Sequence, residues 1–288
     1  MANKIILSAD STCDLSPELK ERYQVQYFPY HILLDGQQYM DGVDIQPEDL
    51  YRTYREKKLL PKTAAISTME FYEYFKQWVD EGYEVIHINL GSALSAAHQN
   101  CRLAAEELGH VYVIDSCNLS TGMGLLVIEA GRRIARGMSA KEIYQEVSAL
   151  TAHSHASFIL DTLEFMHAGG RCSAVTALGA NLLRLKPCIE VGNLRGGAMS
   201  VGKKYRGSYV KCMEHYVRDR LENHDDLLYD TIFITHTPVP QEILDTVHRT
   251  VRECGSFKHI YETNAGCTIS CHCGEGTLGV LYLHKLKN

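Results

Sequence analysis

The stretch "EVIHINLGSALSAAHQNCRLAAEELGHVYVIDS", residues 84–116, carries the reading that decides the fold. "EVIHINL" is a short run of β-branched and apolar residues, the mark of a buried strand. "SAAHQNCRLAAEEL" is built from good helix formers. "HVYVIDS" is a second buried strand. A helix of this length between two such strands makes a crossover, and crossovers join parallel strands.

Working outward, the same alternation fills the first half of the chain. "KIILSAD" (4–10) reads as a buried strand, and Ser16-Pro17-Glu18 opens a helix with a cap and a first-turn proline. "QVQYFPYHILL" (24–34) reads as one strand ended by Asp35-Gly36. Ser67 and Glu70 form a capping box ahead of "MEFYEYFKQWV". Helices at "GLLVIEAGRRIARG" and "SAKEIYQEVSALTAH" follow the last strand of the crossover. This half is expected to be a parallel sheet with helices on both faces, three layers in all.

The second half has another texture. "SFILD" is a strand, "TLEFMHAGG" a short helix ended by glycines, and "SAVTALGANLLRL" a further helix. "KPCIEV" and "AMSVGKKY" make a hairpin around "GNLRGG". Then come a long helix at "SYVKCMEHYVRDRLEN", the strand "TIFITHT", the helix "PQEILDTVHRTVREC", and strands at "KHIYET", "TISCH" and "TLGVLYL". A mixed sheet with helices on one side is expected. The texture changes at 153–157, which divides the chain into an N-terminal α/β domain, 1–155, and a C-terminal α/β domain, 156–288.

Among the 288 residues, 45% are hydrophobic and 22% charged, enough apolar mass for a full core. The net charge of −6 argues against nucleic acid as a partner, because phosphate neutralisation needs a basic surface. No apolar run has the length of a membrane span, and the N-terminus passes straight into a strand pattern without a signal-peptide core. A cytoplasmic setting, with the ten cysteines as free thiols, is the expectation.

Four polar stretches fall at the carboxyl ends of strands, where open parallel sheets bind ligands: Asp10-Ser11-Thr12, Thr63–Ser67, "GSALS" at 91–95, and Asp115-Ser116. Their hydroxyls and helix-start N–H groups suit an anion, although each is also an ordinary cap or turn former. No nucleophile elbow, P-loop or dinucleotide fingerprint accompanies them. Near the C-terminus, "TISCHCGEGTLGV" (268–280) clusters Cys271, His272 and Cys273 downstream of Cys267. Read as a strand, it turns His272 away from Cys271 and Cys273, so no metal is expected there.

"SADST", "LSAAHQN" (94–100), "VIDS" (113–116), "LDTLEFMHAGGR" (160–171), "LKP" (185–187) and "HCGEGTLGV" (272–280), in this order, resemble the DegV family of bacterial fatty-acid-binding proteins over essentially the whole chain. The resemblance implies a two-domain fold holding one long-chain fatty acid between the domains, with its acyl chain in a tunnel. It implies a carrier rather than an enzyme, with no cofactor beyond the bound lipid. The carrier presents its carboxylate to an ATP-dependent fatty acid kinase for acyl-phosphate formation and phospholipid synthesis.

By the same resemblance Thr63, Ser95 and His272 bind the carboxylate. Arg171 and Arg206, with His272, serve the exposed head group and the encounter with the kinase. The sequence departs from the family pattern at "TAAIS" (63–67), where Thr-Ser-Gln-Pro-Ser is usual, at Ala96, where glycine is usual, and at Cys273 and Glu275. The competing reading is a lipid hydrolase or phosphotransferase that uses Ser95 and His272, with Asp10 as the orienting acid.

Overall fold

The computed structural model describes residues 4–176 and 185–286. In chain order the elements are β1 (Ile5–Asp10), α1 (Pro17–Arg22), β2 (Gln26–Phe28), β3 (His31–Leu34), β4 (Gln37–Met40), α2 (Pro47–Lys57), β5 (Lys62–Ala64), α3 (Thr68–Val79), β6 (Glu84–Asn89), α4 (Ala97–Leu108), β7 (Val111–Asp115), α5 (Ser120–Ala135) and α6 (Ala140–Leu150). They continue as β8 (Ser154–Ile159), α7 (Glu164–Gly169), α8 (Ser173–Thr176), β9 (Leu185–Gly192), β10 (Ala198–Arg206), α9 (Tyr209–Leu221), β11 (Leu227–His236), α10 (Gln241–Cys254), β12 (His259–Asn264), α11 (Cys267–Cys273) and β13 (Leu278–His284). No helix among the described residues is long and apolar enough to cross a membrane.

The first sheet has the order β2-β1-β6-β7 and is parallel throughout. The crossover at 84–116 forms as read, with Val85 opposite Val111 and Asn89 opposite Asp115. α3 and α4 pack as one pair, α5 and α6 as another, on the two faces of the sheet. The second sheet, β10-β9-β8-β13-β11-β12, is mixed: β11 and β12 run parallel and the other neighbours antiparallel. α9 and α10 cover one of its faces in a separate apolar cluster.

α5 packs against strands of both sheets. Most of its residues are buried, on every side of the helix. This explains "GLLVIEAG": a helix between two sheets has no face to give to water. One apolar core therefore runs from Leu7 and Ile88 in the first sheet to Phe158, Phe233 and Leu281 in the second.

Two elements differ from the sequence reading. "QVQYFPYHILL" is two strands, not one. β2 lies parallel beside β1, and the chain turns at Pro29, which has no N–H to give to a ladder. β3 then starts a separate antiparallel sheet, β4-β3-β5, closed by a tight turn in which Asp35 and Gly36 both have positive φ. "TISCH" is helical: residues 267–273 form α11, and the last strand begins at Leu278. Gly266 caps this helix while buried Asp14 and Asp41 accept the N–H groups of Gly266, Cys267 and Thr268. Local alternation cannot reveal carboxylates that lie more than 220 residues upstream. Of the helix read at "SAVTALGANLLRL", Ser173–Thr176 is present as α8, and residues 177–184 lie outside the described residues.

Candidate functional site

The strand order reverses between β1 and β6, so a crevice opens beyond the ends of these two strands. Asp10 ends β1 and ties the crevice together, accepting the N–H of Leu90 (2.8 Å) and of Thr12 (3.1 Å). Burial raises its carboxyl to about 6 in spite of those bonds. From the end of β6 the chain passes through "GSALS" to Ser95. The Ser95 Oγ accepts from the Ala97 N–H (3.2 Å) and from the Tyr30 hydroxyl (3.3 Å). Both lone pairs are engaged, so the Ser95 proton is the one left to donate.

Thr63 enters on β5, paired with Ile32 of β3. Its Oγ1 lies 3.0 Å from Nε2 of His272 on α11. Burial, and then the Arg171 guanidinium, push His272 down to about 4, so its ring is neutral at pH 7. Nδ1 of His272 is buried without a hydrogen-bond partner. A proton there would be a stranded donor, the costlier arrangement, which assigns the proton to Nε2 from the bonding pattern. Nε2 then donates to Thr63 and leaves the Thr63 hydroxyl proton free for a ligand.

The ring of His272 is held against α7. A Cβ placed on Gly169 would stand 2.2 Å from His272 Nδ1, so only glycine lets α7 approach this closely. Gly274, at φ +71, ends α11 beside the Phe165 ring.

These groups surround a narrow cavity of about 50 Å³. That is below the few hundred Å³ of open ligand sites, so a ligand of that size requires the walls to move apart. Tyr30, Thr63, Ser95, Arg171, Thr268 and His272 supply its polar lining. The rest is apolar, including Leu94, Met166, Met199 and Ile269. A second, smaller chamber of about 30 Å³ adjoins it and shares Leu119, Phe158, Ile269 and Cys273 as walls. Hydroxyls of that chamber are engaged elsewhere: Ser120 donates to Asp14, Thr235 bonds Thr121 and Thr263, and Ser157 bonds Tyr216. Its surface is therefore effectively hydrocarbon.

Four of the five residues singled out from the sequence, Thr63, Ser95, Arg171 and His272, line this one cavity. Arg206 does not; it ends β10 with an exposed side chain. The residues of the enzyme reading are present but not connected as a triad. Asp10 is bonded to Leu90 and Thr12, His272 to Thr63, and Ser95 to Tyr30 and Ala97.

The helical course of α11 removes the strand-alternation argument made for its cysteines. Cys267 and Cys271 instead face one way, into an apolar cluster with Ile32, Leu34 and Leu50, and Cys273 packs in the main core. Among the described residues no group of three or more His, Cys, Asp or Glu side chains is placed to hold a metal ion.

Tyr30, Asp41, Phe158 and Thr268 were missed in the sequence. Their importance comes from contacts across distant segments, and no local motif marks them.

Fold and site together define an α/β protein of two main sheets and a small third sheet around an apolar cavity with a polar end. The chain belongs to the DegV family, described as "Uncharacterised protein, DegV family", which matches residues 4–285. A DegV domain-containing protein of Clostridium perfringens is 34% identical, with 98% of this chain and 99% of that protein covered. A DegV family protein from Thermus thermophilus, described as fatty acid binding, superposes with a TM-score of 0.86 at 26% identity, covering 98% of this chain and 99% of its own. The DegV fatty acid binding protein of Bacillus subtilis, at 21% identity and a TM-score of 0.80 over 98% of this chain and 100% of its own, shares the fold.

Proposed function

We propose that this protein binds one long-chain fatty acid, with its carboxylate at the polar end of the cavity and its chain directed toward the adjoining hydrocarbon chamber. The observation that carries this reading is the cavity itself: hydroxyl donors on Thr63 and Ser95 at one end and a continuous apolar wall beyond them. Two free hydroxyl protons suit a carboxylate, which only accepts. Burying the chain contributes about 0.8 kcal/mol per CH₂, or about 11 kcal/mol for a C16 chain before ordering costs. Affinity thus comes from the tail, and the polar groups set orientation. Arg171 stands beside His272 at the cavity and offsets the ligand's charge. The fatty acid bound by the Thermus thermophilus relative supports this assignment.

The unconnected Asp10, His272 and Ser95 favour a carrier over a hydrolase, since a serine nucleophile needs a positioned base. The carrier presents its carboxylate to an ATP-dependent fatty acid kinase, with Arg171 and Arg206 at that encounter, and the acyl phosphate serves phospholipid synthesis. In this reading the domains span 1–155 and 156–288, and the ligand lies at their junction. Denaturing the purified protein and identifying the released lipid by mass spectrometry tests the reading. A stoichiometric C14–C18 acid is expected. No lipid, together with no thermal stabilisation on adding such acids, refutes it.

A further inference from the structure

One carboxylate outside the cavity connects its walls. Asp41 follows β4 and is buried. Its Oδ1 accepts the N–H of Cys267 (2.8 Å). Its Oδ2 accepts the N–H of Thr268 (3.1 Å), the hydroxyl of Thr268 (2.6 Å) and the hydroxyl of Ser11 (2.8 Å). Ser11 in turn accepts the N–H of Tyr30 (3.1 Å), and the N–H of Asp41 donates to the Tyr30 carbonyl (2.9 Å). Tyr30 reaches the ligand side of the network through its hydroxyl on Ser95. Thr268 and Tyr30 both line the cavity, and α11 carries His272.

We propose that Asp41 is a positioning residue for the head-group end of the cavity, holding α11, and with it His272, in register with the Tyr30–Ser95 pair on the opposite wall. Four donors converge on its two oxygens, and they come from α11 and from the turn after β1. A carboxylate at a helix start is also favoured by the helix dipole. Asp41 has a second effect. It takes the only hydroxyl proton of Thr268, so Thr268 shows the cavity no donor. The hydroxyl donors that face the ligand are thereby restricted to Thr63 and Ser95, beside the Arg171 guanidinium.

This inference rests on the fatty acid reading above, and its test separates the two. Myristate and 1-tetradecanol share a chain and differ at the head group. Each is titrated calorimetrically against the wild-type protein, Asp41→Asn and Ser11→Ala. Asparagine keeps one acceptor oxygen and puts an NH2 at the other position, so in either orientation at least one of the donors that Asp41 accepts meets another donor. Misplacing the head-group donors is expected to weaken myristate about 10-fold in Asp41→Asn while tetradecanol changes less than about 2-fold. Ser11→Ala removes one of the four donors to Asp41 and the acceptor of the Tyr30 N–H, leaving the bond from the Asp41 N–H to the Tyr30 carbonyl, and is expected to give the same acid-selective loss, which keeps the test decisive if Asp41→Asn does not fold. Equal loss of both ligands, or no loss of either, overturns the positioning role and leaves the binding reading in place. A wild-type protein that binds neither ligand overturns the binding reading, and this inference with it.

Discussion

Gly169→Ala isolates the contact that holds His272. Gly169 is the last residue of α7 and does not have a positive φ, so alanine fits its backbone. Helix propensity alone makes the substitution stabilising by about 0.5–1 kcal/mol. The obstacle is steric. The new Cβ would stand 2.2 Å from His272 Nδ1, whereas ordinary contact begins near 3.4 Å, so the ring must retreat by about 1.2 Å (3.4 − 2.2). It cannot retreat along the line to Thr63, which is already 3.0 Å from Nε2. The imidazole therefore turns and the Thr63 bond breaks. A buried partner left unsatisfied costs about 1–3 kcal/mol, which corresponds to a loss of fatty acid affinity of about 5-fold to 150-fold. Calorimetric titration with palmitate and a thermal melt measure the two effects. Gly170→Ala is the control: its φ of +67 makes alanine strained, but no atom lies within 4 Å, so stability falls while affinity holds. Wild-type affinity in Gly169→Ala, with a raised melting temperature, would refute the role given to the His272–Thr63 pair.

Removing both ligand-facing hydroxyls, Thr63→Ala with Ser95→Ala, is expected to weaken fatty acid binding without unfolding. Each lost bond to a charged acceptor is worth about 1.5–3 kcal/mol, and unchanged affinity by titration would place the carboxylate elsewhere. Arg206→Ala, on an exposed side chain outside the cavity, is expected to leave palmitate affinity unchanged and, if the proposed kinase encounter holds, to slow acyl-phosphate formation by a fatty acid kinase in a coupled assay. Asp14→Asn tests the pH behaviour of the α11 anchor. Burial raises Asp14 from 3.8 to about 8, so the unfolded chain releases this proton near pH 4 and the folded protein keeps it until about pH 8. Stability is then lost as pH rises through that window. Asparagine mimics the protonated group and is expected to raise the melting temperature more at pH 8 than at pH 5.

Much of the architecture was legible along the chain because it rests on local signals. The crossover at 84–116, the capping box at Ser67, and the Asp35-Gly36 turn each follow from residues a few positions apart. The hairpin at 185–206 also formed as read around its glycine-rich tip. Thr63, Ser95, Arg171 and His272 were named from motif resemblance. That they line a single cavity is a property of the folded chain alone. α11 shows the limit most clearly. Its sequence alternates like a strand, and two carboxylates from the first 41 residues make it a helix by accepting its first N–H groups.

Composition and periodicity thus determined the two-part α/β plan, since burial and hydrogen bonding impose a period on each element. The tertiary structure decided the conformation of α11, the neutral state of His272 and the donors left free for a ligand. Those depend on which groups meet across gaps of up to 252 residues, where no local pattern reaches.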